Sequence, residues 1–152
     1  MFKLKSTKIG ILGGSFDPAH KGHLTISKIA LKKIKLKKIY WVVTKKNPFK
    51  NKTFFSLKDR VDIAKKISSK TKNIEVLYID DMIKSSKSIK VIQYILKKKK
   101  PKDLYFIVGS DILLKFHRWH SWKRIVKLTK LIVFSRKGYD RKSKKTIVVK
   151  YL

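Results

Sequence analysis

Four histidines occur in the 152-residue chain. Two of them, His20 and His23, fall in one segment, Gly13-Gly14-Ser15-Phe16-Asp17-Pro18-Ala19-His20-Lys21-Gly22-His23. Glycine carries no Cβ, so the Gly13–Gly14 pair lets the backbone come close to a triphosphate. Asp17-Pro18 reads as a bend, with proline presetting φ where the chain turns. Histidines three residues apart in the first turn of a helix project from one side, and Gly22 between them is expected to leave that side open. Two imidazoles beside a helix N-terminus suit charge that develops on phosphate oxygens. A strand–turn–helix joint with two incidental histidines is the plainer alternative. The coincidence of half the histidines with a glycine pair weighs against it.

Holding such a segment requires a strand before it and a helix after it. Lys8 to Leu12 has the apolar run of a buried strand. From His20 to about Lys35, Leu24, Ile26, Ile29, Ala30 and Ile34 approximate helical spacing, with lysines on the other face. Ile39 to Val43 is a second apolar, β-rich run. Strand, helix and strand in that order make a βαβ unit, hence a parallel sheet with a right-handed crossover. Such sheets bind ligands beyond the carboxyl ends of their strands, which puts the glycine segment at the ligand edge.

The same alternation continues. Ser56 is placed as the N-cap of a helix with Asp59 at its third position. Leu57, Val61, Ala64 and Ile67 form that helix's apolar stripe, and Arg60 is expected to be structural. Glu75 to Ile79 is a third strand, followed by Asp80 and Asp81, which read as solvated turn residues rather than a metal site. Ser85 to Ser88 are expected to cap a helix whose apolar face is Ile89, Ile92, Ile95 and Leu96. Leu104 to Val108 is a fourth strand that delivers Gly109-Ser110-Asp111 to the ligand edge. Gly109 allows close approach there. Asp111 could accept hydrogen bonds from a ribose hydroxyl, hold a hydrated Mg²⁺, or simply cap residues 112–116. Trp122 reads as core, and His117 and His120 as local polar partners. Leu131 to Phe134 and Thr146 to Val149 complete the series. The fold expected is α/β: a Rossmann-like, doubly wound parallel sheet of five to six strands with helices on both faces, forming one domain over residues 1–152.

The formal net charge is +32, from 41 basic and nine acidic residues. A surface of that sign binds polyanions at low salt whatever else it does. Yet 36 of the basic residues are lysines and only five are arginines, and they are spread along the whole chain. Specific readers of phosphate and base lean on arginine's planar fork. A nucleic-acid-binding protein is therefore the second reading, and no specific nucleic-acid partner is expected. No apolar run approaches the ~18 residues that span a bilayer, so no membrane partner is expected. The amino terminus lacks the apolar core of a secretory signal. The chain has no cysteine, and a cytoplasmic location follows as the default expectation.

The glycine–histidine segment resembles the signature G-G-x-F-D-P-x-H-x-G-H of the HxGH nucleotidylyltransferases, and most closely of the bacterial nicotinate-nucleotide adenylyltransferases. The resemblance extends over nearly the whole chain. It implies adenylyl transfer from ATP to nicotinate mononucleotide in NAD biosynthesis, with Mg²⁺ carried by the phosphates and no dedicated protein metal site. It also implies that His20 and His23 grip the triphosphate, with backbone contacts from Gly13, Gly14, Ser15 and Phe16. Lys50 matches the lysine of the family's N-P-x-K loop, a mobile cation over the phosphates. Ser86 and Ser88 match the serine and threonine of an S-Y-T segment whose helix N-terminus receives the nicotinate carboxylate, with Lys87 replacing the tyrosine. Gly109, Asp111 and Trp119 fall on a G-x-D-x-L-x-x-F-x-x-W segment, whose tryptophan stacks on the pyridine ring. Arg136 and Gly138 match the ends of an R-P-G segment. The family's I-S-S-T-x-I-R segment has no counterpart before Leu152, so the chain reads as shortened at its carboxyl end. That leaves a truncated product, a shortened enzyme or a nucleotide binder without catalysis as outcomes. Other acceptors of the superfamily, phosphopantetheine among them, share the histidine motif. The paired glycines and the Asp111–Trp119 spacing favour nicotinate.

Overall fold

The computed structural model describes residues 7–45 and 52–135. The elements follow the chain as β1 (Lys8–Gly14), α1 (Lys21–Lys33), β2 (Lys38–Val43), α2 (Leu57–Ser68), β3 (Ile74–Leu77), α3 (Asp80–Ile83), α4 (Ser88–Lys99), β4 (Asp103–Gly109), α5 (Ser110–Phe116), α6 (Trp122–Leu128) and β5 (Lys130–Phe134). The five strands form one sheet in the order β3-β2-β1-β4-β5, and every pairing is parallel. The expected strand over Thr146 to Val149 lies outside the described residues.

Each central strand is apolar on both faces because helices cover both. On one face Ile11, Val42, Phe106 and Val108 pack with Ile89, Ile92 and Ile95 of α4, Phe116 of α5 and Ile125 of α6. On the other, Ile39, Trp41, Val43 and Ile107 pack with Ala30 of α1 and Ala64 of α2. Strand order reverses between β1 and β4, and the carboxyl ends of strands flanking such a reversal open a crevice.

Several local expectations hold and several change. Ser56 is the N-cap of α2, its hydroxyl accepting from the Asp59 N–H at 3.1 Å. The serines before α4 do not cap it: its N-cap is Lys87, with no side-chain cap bond. The Ser86 hydroxyl instead donates to Asp80 Oδ2 at 2.7 Å, and the Ser85 hydroxyl accepts from the Lys87 N–H. Asp80 is accordingly not a solvated turn residue. It is buried and also accepts from the Lys45 N–H at 2.8 Å, tying the end of β2 to the start of α4. Asp111 does not cap α5 either; Gly109 holds that position and Asp111 is the second residue of the helix. The structural reading of Arg60 holds. Its guanidinium, 2 % exposed, donates to the carbonyls of Ser15, Thr44 and Phe55 at 2.8, 2.8 and 3.2 Å.

Candidate active site

Gly13 and Gly14 were expected in a turn but are the last two residues of β1, in register with Val42 and Val43 of β2. The chain leaves the sheet at Ser15 and bends at Asp17-Pro18. Phe16 takes a left-handed conformation there, φ 47°, which costs a non-glycine residue about 1–3 kcal/mol. Burial of its ring offsets that cost: it stacks on Trp41 at 5.4 Å and lies 4.7 Å from the His23 ring. The Asp17 carboxylate accepts from the Phe54 and Phe55 N–H groups, fastening the bend to the approach of α2.

His20 is the N-cap of α1 and His23 its third residue. An imidazole Nδ1 serves here in the place of a capping hydroxyl or carboxylate. His20 Nδ1 accepts from the Gly22 N–H at 3.0 Å, and His23 Nδ1 accepts from the His20 N–H at 3.1 Å. The two rings lie 4.0 Å apart, centroid to centroid. An Nδ1 that accepts leaves the single proton of a neutral ring on Nε2. Any hydrogen bond either neutral ring donates therefore comes from Nε2. The first turn of α1 contains no acidic residue, so the positive end of its dipole is not offset locally. Gly22 does not leave open space. A Cβ there would meet His20 Cε1 at 2.7 Å and Nδ1 at 2.8 Å, so the missing side chain is what lets the His20 ring fold back over its own helix.

A cavity of about 190 Å³ opens at the carboxyl ends of β1 and β4. Gly13, Gly14, His20 and His23 line one side, and Gly109, Asp111 and Trp119 another. Ser86 and Ser88 stand at the start of α4, with Thr44 beside the end of β2. A Cβ on Gly13 or Gly14 would meet no atom of the structure closer than 3.9 Å, so the strand end leaves room for a ligand against the backbone. Trp119 packs edge-on to Phe106 at 6.0 Å and against Phe116 at 5.1 Å, which fixes the indole in the wall. Among the described residues Asp111 is the one carboxylate in that lining. Among the described residues no group of three or more His, Cys, Asp or Glu side chains could hold a metal ion.

Of the residues singled out from sequence, Gly13, Gly14, His20, His23, Ser88, Gly109, Asp111 and Trp119 thus converge on one cavity. Ser15 and Phe16 stand behind it. Both are buried, the Ser15 carbonyl held by Arg60 and the Phe16 ring by Trp41. Lys50 and Arg136 lie outside the described residues. Sequence reasoning missed the clamps around the site. Asp80 could have been suspected from its place after a strand, but the Ser27–Trp41 contact described below gave no local signal.

The cytidylyltransferase-like family model matches residues 11–150. A protein of Pelagibacter ubique named "Probable nicotinate-nucleotide adenylyltransferase" is 52% identical over 143 residues, covering 94% of this chain and 79% of its own length. A protein of the same name from a Nitratiruptor species is 36% identical over 133 residues, covering 87% and 75%. The chain belongs to the nicotinate-nucleotide adenylyltransferases. The fold agrees at greater distance. Plasmodium falciparum nicotinic acid mononucleotide adenylyltransferase, solved in complex with NaAD, superposes with a TM-score of 0.75 at 18% identity, over 91% of this chain and 70% of that one. Among the described residues no helix is long and apolar enough to cross a membrane.

Proposed function

We propose that this chain transfers the adenylyl group of ATP to nicotinate mononucleotide, forming nicotinate adenine dinucleotide and pyrophosphate. The observation that carries the reading is the pair of Nδ1-anchored imidazoles standing beside a glycine-ended strand in the wall of one cavity. A phosphate oxygen of the acceptor attacks the α-phosphorus in line. The bond from that phosphorus to the bridging oxygen breaks, and pyrophosphate leaves with no covalent intermediate on the protein. Transfer of this kind asks a protein mainly for positioning and charge stabilisation.

In this reading His20 and His23 donate from Nε2 to the phosphate oxygens that gain charge, aided by the N-terminus of α1. Gly13 and Gly14 let the phosphates approach the backbone, and Gly109 and Asp111 hold the ribose. Ser88, in the first turn of α4, and Trp119 take the nicotinate mononucleotide, the indole offering a π face to an electron-poor ring. Lys50 and Arg136 supply further cations. Ser15 and Phe16 act from behind the wall, by shaping the bend. Mg²⁺ arrives with the phosphates of ATP, which suits a cavity whose described residues bring a single carboxylate to it.

The test is chromatography of products after mixing the protein with ATP, Mg²⁺ and, separately, nicotinate mononucleotide, nicotinamide mononucleotide and phosphopantetheine. The deamido dinucleotide should form fastest. Faster product with another acceptor would reassign the substrate, and ATP binding without product would remove the catalytic reading.

A further inference from the structure

The stripe of α1 that carries His20 and His23 continues, at spacings of four and three, through Ser27 and Ala30, the two residues of the helix that are buried. A serine hydroxyl wholly removed from water needs partners, and Ser27, 0 % exposed, has two. It donates to the His23 carbonyl at 2.8 Å and accepts from the indole N–H of Trp41 at 2.8 Å. Trp41 is itself fully buried in β2, in register with Leu12, one residue before Gly13. Its ring underlies Phe16 at 5.4 Å and 25°, lies 6.0 Å from the His23 ring, and Phe16 in turn lies 4.7 Å from His23. The hydrogen bonds therefore run from the strand, through the serine, to the backbone of the histidine. The ring contacts run from the same indole back to the same histidine.

We propose that Ser27 and Trp41 are positioning residues for His23: the hydroxyl fixes the indole, and the indole fixes both the first turn of α1 and the ring platform that orients the imidazole. The proposal rests on the adenylyl-transfer reading for its kinetic consequence, though not for its geometry. Chains of hydrogen bonds polarise one another and resist rearrangement when buried. Small displacements of a positioned group are costly, with a shift of ~1 Å costing up to ~10² in rate.

Removing the hydroxyl alone strands a buried indole N–H, and Trp41→Phe alone leaves a cavity where the indole was, so in the double variant the serine change should cost little stability beyond that of Trp41→Phe. Ser27→Ala, Trp41→Phe and the double variant therefore separate folding from positioning. Pyrophosphate release is measured with ATP and nicotinate mononucleotide, alongside thermal melting. Ser27→Ala should lower kcat by about 10-fold, with KM for ATP changed less than about threefold. The double variant should match Trp41→Phe in Tm and keep the low kcat of Ser27→Ala. A double variant that regains kcat would show a structural role only, and undiminished kcat in Ser27→Ala would overturn the proposal outright. If the wild-type protein releases no pyrophosphate with any acceptor, the enzymatic reading fails by itself. The imidazole ¹⁵N spectrum then decides the positioning claim: His23 resonances that shift in Ser27→Ala support it, and unshifted ones refute it.

Discussion

Replacing Gly22 by alanine separates catalysis from stability at a single atom. The added Cβ would sit 2.7 Å from Cε1 and 2.8 Å from Nδ1 of His20, well inside van der Waals contact. The ring is the mobile partner, so it swings away and gives up the bond from the Gly22 N–H. Losing an N-cap bond costs about 1 kcal/mol. Exchanging glycine for alanine within a helix returns up to about 1 kcal/mol. The two offset, and Tm should stay within a few degrees of the wild type. Turnover should not. His20 leaves the cavity wall it shares with Gly13 and His23, and loss of one such stabiliser of phosphate charge lowers kcat by ~10²–10³. The assay is steady-state pyrophosphate release with circular-dichroism melting on the same preparations. Wild-type kcat in Gly22→Ala would refute the argument. So would a fall in activity accompanied by an equal loss of folded protein.

Three other expectations follow from the surrounding structure. Arg60→Leu leaves the carbonyls of Ser15, Thr44 and Phe55 without their donor and should destabilise the fold by about 3–5 kcal/mol, read by urea titration. Trp119→Phe keeps a ring against Phe106 but reduces the π face, so KM for nicotinate mononucleotide should rise about 3- to 10-fold while KM for ATP holds. Glu75→Gln breaks the 2.9 Å ion pair with Lys38 across β3 and β2; both groups are well exposed, so the cost in denaturant titration should stay below about 1 kcal/mol. The hydrogen bond to Glu75 raises the Lys38 pKa above its ordinary 10.5. The pair's stabilisation is therefore fully present below that value and fades as pH climbs beyond it, and salt weakens it throughout.

The alternation of apolar runs with amphipathic stretches made the parallel sheet legible, because strands covered on both faces must be apolar throughout. The histidine pair was legible because residue type and spacing both point to one helical turn. What escaped was set by folded contacts, some near and some far in sequence, that residue type and spacing do not reveal. Asp80 looked solvated because nothing nearby in the chain shows that Lys45 and Ser86 will converge on it. The serines before α4 looked like caps because serine favours that position, but the buried carboxylate claims one of them. Gly22 looked like open space, whereas only the folded geometry shows the His20 ring filling it. Strand ends were read short for a related reason. Gly13, Gly14 and Gly109 have low strand propensity, yet pairing with neighbouring strands carries them into the sheet.

The central claim is that His23, as an Nε2–H donor beside the glycine-ended strand, stabilises charge on a reacting triphosphate. Pyrophosphate release by His23→Ala, in the presence of ATP, Mg²⁺ and nicotinate mononucleotide, tests it most directly. Turnover should fall ~10²–10³ below the wild type with the circular-dichroism spectrum unchanged. Release at the wild-type rate from a folded His23→Ala protein would contradict it.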